Sequence, residues 1–171
     1  MQRQAAVVHP ASDRLDEPRQ VVSTREPAPS KAAIAGHPIH PMLIPFPITF
    51  LAMVPVTDII YAVTESAFWS SVSYYLLWAG LISAGLAAVF GLIDFFGVPR
   101  VRSLRAGWAH MLLNVAIVAL TVVNLLLRMG DTIEHVEPSG IILSLVAAGL
   151  LLVSGWYGGE LAYRYKVGVM P

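Results

Sequence analysis

The chain contains no cysteine, and this absence excludes disulfides, thiolate metal sites and cysteine nucleophiles. Charge is scarce as well, because Asp, Glu, Lys and Arg make up 13% of the 171 residues while 56% are hydrophobic. That leaves too little polar surface to cover a soluble globule of this length. The sequence also lacks a phosphate-binding glycine loop, a serine in a nucleophile elbow and an internal repeat. The usual signatures of nucleotide binding, of hydrolases and of many secondary transporters are therefore missing.

Long apolar runs are what the chain does contain. Four of them are separated by three short polar loops, and each is close to the ~20 residues that a helix needs to cross a ~30 Å hydrocarbon core. The predicted spans are 42–63, 74–96, 107–127 and 140–162. We therefore predict an all-α fold, a polytopic membrane four-helix bundle that lies in a lipid bilayer.

Residues 1–35 differ from the rest of the chain in composition. They are rich in Ala, Pro, Gln and Ser with scattered charges of both signs, and four prolines block a continuous helix. The segment has neither the apolar region nor the small-residue cleavage site of a signal peptide. The sequence thus predicts a disordered cytoplasmic tail at 1–35 and a four-span domain at 36–171.

Basic residues are distributed unevenly between the two sides of the bundle. Ten of the eleven Lys and Arg residues lie in the tail, between spans two and three, or after span four, whereas Arg128 alone falls on the opposite side. The positive-inside rule then places both termini and the loop between spans two and three in the cytoplasm. The arginines at 100–105 are explained by this orientation and by anionic lipid, so no nucleic-acid partner is predicted.

One face of span three is polar along its whole length. Asn114, Thr121 and Asn124 lie within about 40° of His110 on a helical wheel. Such a stripe is expected to point into the bundle, where amide side chains form hydrogen bonds between helices. Asp58 in span one either accepts bonds from these amides or reaches headgroup water, and the similar depth of Asn124 favours the first alternative.

Small residues line one face of span two and one face of span four. They let two helix backbones approach closely, which is the usual basis of helix association in lipid. We therefore expect both faces to contact neighbouring helices. The face on span two consists of Gly80, Ser83, Ala87, Gly91 and Asp94, and the face on span four of Ser144, Ala148, Gly155 and Gly159.

Ionisable residues gather at the predicted cytoplasmic end of all four spans. His37 and His40 precede span one. Asp94 lies near the end of span two, His110 one turn into span three, and Glu160 near the end of span four. Because carboxylates and imidazoles are costly in or near a membrane, a functional site is the default hypothesis. The structural alternative for the two carboxylates is pairing with nearby arginines.

The sharpest local motif is Gly-His-Pro-Ile-His-Pro at residues 36–41. Each proline fixes its own φ and pushes the preceding histidine toward extended geometry, so a stiff, non-helical approach to span one is predicted. An extended segment would hold the two imidazoles apart, and a turn would bring them together. The histidines either bond headgroups and helix-end carbonyls, ligate a metal or haem, or relay protons.

Four motifs occur in a fixed order along the chain: His37-Pro-Ile-His40-Pro-Met-Leu-Ile-Pro-Phe-Pro, Gly91-Leu-Ile-Asp94, Gly107-Trp-Ala-His110-Met-Leu-Leu-Asn114 and Ser154-Gly-Trp156-Tyr-Gly-Gly159-Glu160-Leu. Over residues 35–169 the chain resembles the bacterial four-helix membrane family catalogued as domain of unknown function twenty-two thirty-one. Some relatives look like fusions or neighbours of Rieske iron–sulfur domains, and this resemblance implies a redox setting. The chain itself cannot carry a Rieske centre, since that centre needs two thiolates.

The first functional hypothesis is a redox-associated site that holds a b-type haem or a transition metal at the cytoplasmic end. Neutral imidazole suits iron, copper and zinc, and an inward-facing residue on span three is the strongest single ligand candidate. The candidate ligands are His37, His40 and His110, and the candidates for orienting ligands or relaying protons are Asp94, Glu160 and Asn114.

The second hypothesis is a non-catalytic structural or scaffold subunit of a membrane complex, whose polar end closes the bundle and docks partners. A membrane redox partner or a second copy of the chain is the expected protein partner. A transporter is a weaker option, because four helices leave little room for a path unless the protein oligomerises. No enzymatic reaction is assigned by the sequence.

Overall fold

The computed structural model describes residues 26–133 and 135–169, in which helices dominate. Four helical segments there are long and apolar enough to cross a membrane: Ile39–Thr64, Ala67–Gly97, Arg105–Leu127 and Val136–Arg164. The all-α membrane bundle of four apolar helices is therefore confirmed, and the helical segments are two to eight residues longer than the predicted spans. The part of the predicted tail before residue 26 lies outside the described residues.

Short connections join the elements of the bundle. In chain order they are β1 (Ala33–Ile34), β2 (His37–Pro38), α1 (Ile39–Leu43), α2 (Pro45–Thr64), α3 (Ala67–Gly97), α4 (Pro99–Ser103), α5 (Arg105–Leu127) and α6 (Ile141–Gly159). The strands β1 and β2 pair in antiparallel fashion. Single π-helical turns, Val136–Gly140 and Glu160–Arg164, precede and follow α6.

The four long helices pack in a closed order. Helix α2 packs against α3 and α6, and α5 packs against the same two helices, so α2 and α5 lie diagonally across the bundle. The chain reverses after each long helix. The starts of α2 and α5 therefore share one end with the ends of α3 and α6. We call this the His end, because it holds His40 and His110, and we call the opposite end the Arg128 end.

Large apolar side chains cover the outside of the long helices. On α3, for example, Ile82 and Leu86 are exposed, as expected where lipid tails are as apolar as the side chains. The buried apolar interior is correspondingly small. One of its clusters joins Val54 of α2, Leu77 of α3 and Leu125 of α5.

The small residues on spans two and four differ in what they contact. At Gly80 a Cβ atom would lie 2.3 Å from Leu51 Cδ2, so the missing side chain lets α2 approach α3 as predicted. Nearer the His end, Gly91 instead makes room for the ring of His40. On α6, a Cβ at Gly155 would meet no atom within 4 Å, so this position does not contact a described neighbouring helix.

The approach to span one is partly helical. His37 and Pro38 are extended and pair with Ala33–Ile34, in agreement with the proline pattern. The prediction of a non-helical segment is wrong for residues 39–41, which belong to α1 (Ile39–Leu43). Pro41 is tolerated there because it falls in the first helical turn, where a backbone N–H would have no helical acceptor.

Part of the predicted tail packs against the bundle. We call residues 26–38 the strap. Ala28 N donates a hydrogen bond to Lys166 O over 2.9 Å, and Gly168 N donates to Ala28 O over 2.8 Å. The strap therefore runs beside the C-terminal segment at the His end, and residues 26–35 belong to the packed fold.

Candidate functional site

Two polar clusters lie at opposite ends of the bundle, and the first contains two of the predicted histidines. His40 on α1 donates from Nδ1 to the main-chain carbonyl of Ala87 on α3 over 2.9 Å. The ring lies over Gly91, where a Cβ atom would be 2.9 Å from Nδ1. Because a carbonyl oxygen only accepts hydrogen bonds, Nδ1 carries the proton, and Nε2 of the neutral ring is unprotonated.

His110 is held on α6 in the same way. Its Nδ1 donates to the carbonyl of Ser154 over 2.9 Å, and its ring lies over Gly158, where a Cβ atom would be 3.1 Å from Cε1. In both cases a glycine follows the accepting residue by four positions, about one helical turn, and leaves the space that the ring fills. The two helices thus fix the same tautomer in both histidines.

The two rings meet across the diagonal of the bundle, and we call them the His pair. Their centres are 6.2 Å apart and their planes are at 86°. Both side chains are half-buried. Asn114 supports His110, because its amide donates to Ser154 Oγ and to His110 O over 2.7 Å each and to the unprotonated Nε2 over 3.3 Å.

The other predicted site residues lie apart from the His pair. The ring of His37 is exposed and donates to Ala35 O of its own hairpin. Glu160 accepts a hydrogen bond from Arg164 over 2.8 Å, in a pair whose arginine is 73% exposed. Asp94 binds the strap. Among the residues that the structure describes, no group of three or more His, Asp or Glu side chains is placed to hold a metal ion.

A second cluster, at the Arg128 end, was missed by the sequence analysis. Arg128 follows α5 and forms a bidentate ion pair with Asp58 of α2, with Nη1–Oδ1 at 2.8 Å and Nη2–Oδ2 at 2.9 Å. Both side chains are fully buried, with 0% exposure. The third guanidinium nitrogen, Nε, donates to Asn124 Oδ1 over 2.9 Å. An ion pair without access to water requires partners of this kind, since burial removes the hydration of both charges.

Serines from the two other helices complete the Arg128 cluster. Ser73 of α3 donates to Asp58 and accepts from Arg128 Nη1. Ser144 of α6 donates to Asp58 Oδ2 over 2.8 Å. All four long helices therefore meet at one carboxylate, and every buried side-chain nitrogen or oxygen of the described residues has a hydrogen-bond partner.

The predicted hydrogen bond between Asp58 and the amides of span three is wrong. Asp58 does point into the bundle, but it bonds Arg128. Asn124 bonds the same guanidinium and not Asp58 itself. A signal for this arrangement is present in the sequence. Arg128 follows Asn124 by four residues and so extends the polar face of span three by one more turn.

The two asparagines of this face should respond differently to the same substitution. Asn124→Leu leaves the buried Arg128 Nε without its partner and removes the hydrogen bond that Asn124 donates to the carbonyl of Gly140 over 3.1 Å. We expect a loss of about 1–3 kcal/mol of stability in detergent. The matched change Asn114→Leu isolates no buried charge, so it should lower the melting temperature less. Equal melting temperatures for the two variants would contradict this assignment.

The fold and its two polar ends define an integral, multi-pass membrane protein built as a four-helix bundle. The family described as predicted membrane protein (DUF2231) matches residues 36–171. The chain belongs to this family, and the resemblance carried by the four sequence motifs is confirmed. No curated protein and no solved structure matches the chain.

Proposed function

We propose that the protein holds one redox-active centre, a transition-metal ion or the iron of a b-type haem, between His40 and His110. The proposal depends on the geometry of the His pair. Two half-buried rings from opposite sides of the bundle lie 6.2 Å apart, and each commits Nδ1 to a main-chain carbonyl. Proteins commonly present Nε2 to a metal from an imidazole fixed in this way. At His110 the metal would take the place of the Asn114 amide, which donates to Nε2 over 3.3 Å.

The separation of the rings suits a single centre. An imidazole nitrogen lies about 2.0 Å from a bound metal, so two rings on opposite sides of one metal have their centres roughly 6 Å apart. Iron or copper bound there would supply one-electron transfer. The redox setting that the family resemblance implies agrees with such a centre.

The surrounding residues would orient the ligands. The carbonyls of Ala87 and Ser154 set the direction of the two rings, and Asn114 steadies Ser154 and the main chain of His110. The predicted ligand role of His37 is not part of this proposal, because its exposed ring bonds its own hairpin. Glu160 is likewise left out, since its carboxylate accepts a hydrogen bond from an exposed arginine.

The wild-type protein provides the first test. It should be purified in detergent from cells supplied with iron, copper and a haem precursor, and then measured by elemental analysis and by optical spectra before and after dithionite. About one metal atom per chain, with a Soret band if the metal is haem iron, is the expected result. A protein free of both would overturn the proposal.

The scaffold hypothesis is supported by a different observation, the Arg128 cluster. Its polar atoms are used entirely within the bundle, and its contacts join all four helices. Such a cluster stabilises a fixed shape without any bound group. A metal-free wild type that is isolated in a stable complex with a second copy or with a membrane redox protein would favour this function.

We also propose that the His end faces the cytoplasm of a bacterial cell, with both termini on that side of the inner membrane. The distribution of ten of the eleven basic residues supports this orientation. A reporter enzyme fused after Pro171 should be active only in the cytoplasm, whereas one inserted beside Glu65 or Asp131 should be active only outside. The opposite activities would reverse the orientation and place the His pair at the outer face.

A further inference from the structure

Asp94, near the end of α3, holds the strap through its carboxylate. Ser30 Oγ lies 2.8 and 2.7 Å from the two carboxylate oxygens. The main-chain N–H groups of Lys31 and Ala32 donate to Oδ1 over 2.7 and 3.0 Å. One carboxylate therefore binds three consecutive residues from a distant part of the chain. Hydrogen bonds to an ionised acceptor are stronger than those to a neutral one.

Burial fixes the strap at a second place. The side chain of Ala28 is 8% exposed and packs against Phe95, Val98 and Val101, at the end of α3 and in α4. The main chain of Ala28 also bonds the C-terminal segment, as described above. The strap is thus held both by α3 and by the segment that follows α6.

The strap leads directly into the first histidine of the His pair. Ile34 pairs with His37 in the hairpin, and Ile39 N donates to Ala32 O over 2.9 Å. His40 is the next residue. A displacement of the residues that the carboxylate holds would therefore move the main chain that carries the imidazole.

The same face of α3 holds both the ring and the strap. Ala87 accepts the hydrogen bond of His40, Gly91 provides the space for its ring, and Asp94 binds the strap. These three positions, spaced by four and three residues, fall on one side of a helix. Near the His end, this small-residue face therefore contacts His40 and the strap, whereas a neighbouring transmembrane helix was predicted there.

We propose that Asp94 is a latch: by holding the strap it positions His40 opposite His110 and keeps the His end closed to water. The inference rests on the function proposed for the His pair and adds its regulation, since a metal would enter when the strap is released. Asp94 acts through the strap and does not touch the rings, so it is a positioning residue.

Thiol labelling measures release of the strap. The chain has no cysteine, so Ala28→Cys provides a single thiol in a buried position. In the full chain in detergent, Asp94→Asn should raise its rate of maleimide labelling by about tenfold, the change expected when a hydrogen bond to a charged group is lost. Glu160→Gln, which neutralises another carboxylate at the same end, should leave the rate unchanged. An equal labelling rate with and without Asp94→Asn would overturn the latch.

Modification of histidine with diethyl pyrocarbonate measures the position of His40 itself. The rate at His40 relative to exposed His37 should rise about tenfold in Asp94→Asn, by the same loss of a charge-assisted bond. Ser30→Ala removes one of the bonds to Asp94 and leaves α3 unchanged, so it should give a smaller increase in the His40 modification rate. This variant replaces Asp94→Asn in the test if Asp94→Asn does not fold. Faster thiol labelling with an unchanged rate at His40 would overturn the positioning role. Neither readout needs a metal, so a metal-free wild type would remove the proposed function without deciding the latch.

Discussion

Replacing either member of the buried ion pair alone should destabilise the bundle more than replacing both. We expect Arg128→Met or Asp58→Leu to lower the free energy of unfolding by about 3–5 kcal/mol, because each change leaves an uncompensated charge in the membrane interior. The double variant replaces both charges by apolar side chains and should recover much of that loss. Thermal unfolding in detergent, followed by circular dichroism, measures all three.

The exposed ion pair at the other end supplies the control. Arg164 and Glu160 are four residues apart on the helix surface, and Arg164 is 73% exposed. Water and salt screen such a pair, so Arg164→Met should change the melting temperature little. If the double variant at Asp58 and Arg128 is as unstable as the two single losses added together, the pair is not coupled and our interpretation of the cluster is wrong.

The second large effect is expected at the His pair. If the centre is present, His110→Ala and His40→Ala should each abolish stoichiometric metal binding, because each removes one of the two imidazoles that meet in the part of the chain described by the structure. Loss of a ligand should exceed the 10–100-fold weakening that follows loss of a supporting residue. Elemental analysis and the optical spectrum of each purified variant measure the effect.

His37→Ala is the matched control for this experiment. His37 stands three residues before His40 in the same motif, but its ring is exposed and bonds its own hairpin. It should therefore keep full metal content, and all three variants should keep the wild-type melting temperature within a few degrees in the metal-free state. Equal loss of metal in all three variants would show that the strap rearranges on binding and that the described geometry is not the ligand geometry.

The membrane fold is the part that the sequence predicts best. The bilayer fixes the length of each apolar run, so composition alone locates the four spans, with the largest difference at the start of span two, which was predicted at 74 and lies at Ala67. The inward direction of His110 is also predictable, because the position of a side chain around a helix follows from 3.6 residues per turn. Both inferences use only local information along the chain.

The Arg128 cluster was missed for a physical reason. Arg128 lies at the C-cap of α5, where the apolar run ends, and the positive-inside argument therefore assigned it to a loop. Side chains near the end of a helix lean back toward its N-terminus, which carries this guanidinium into the interior of the bundle. Its partner, Asp58, lies on another helix, and no local pattern connects the two residues.

The packing of the strap and the difference between His37 and His40 could not be predicted from the sequence for a similar reason. The composition of residues 26–35 is typical of disorder, and the contacts that hold them depend on Asp94, more than 60 residues away. Likewise, the alternation of histidine and proline permits both an extended segment and a turn. The structure contains both, a hairpin at His37 and a helix at His40, and only packing on α3 decides between them.

The long interval between Asp58 and Arg128, 70 residues, has a consequence for biosynthesis. A ribosome delivers the first two spans to the membrane before the guanidinium has been made. Until then the carboxylate has only a serine of α3 to bond within the bundle, and a charge without a counter-ion is costly at that depth. The polar contacts of the N-terminal pair of helices are therefore complete only after the chain that carries Arg128 has been inserted beside them.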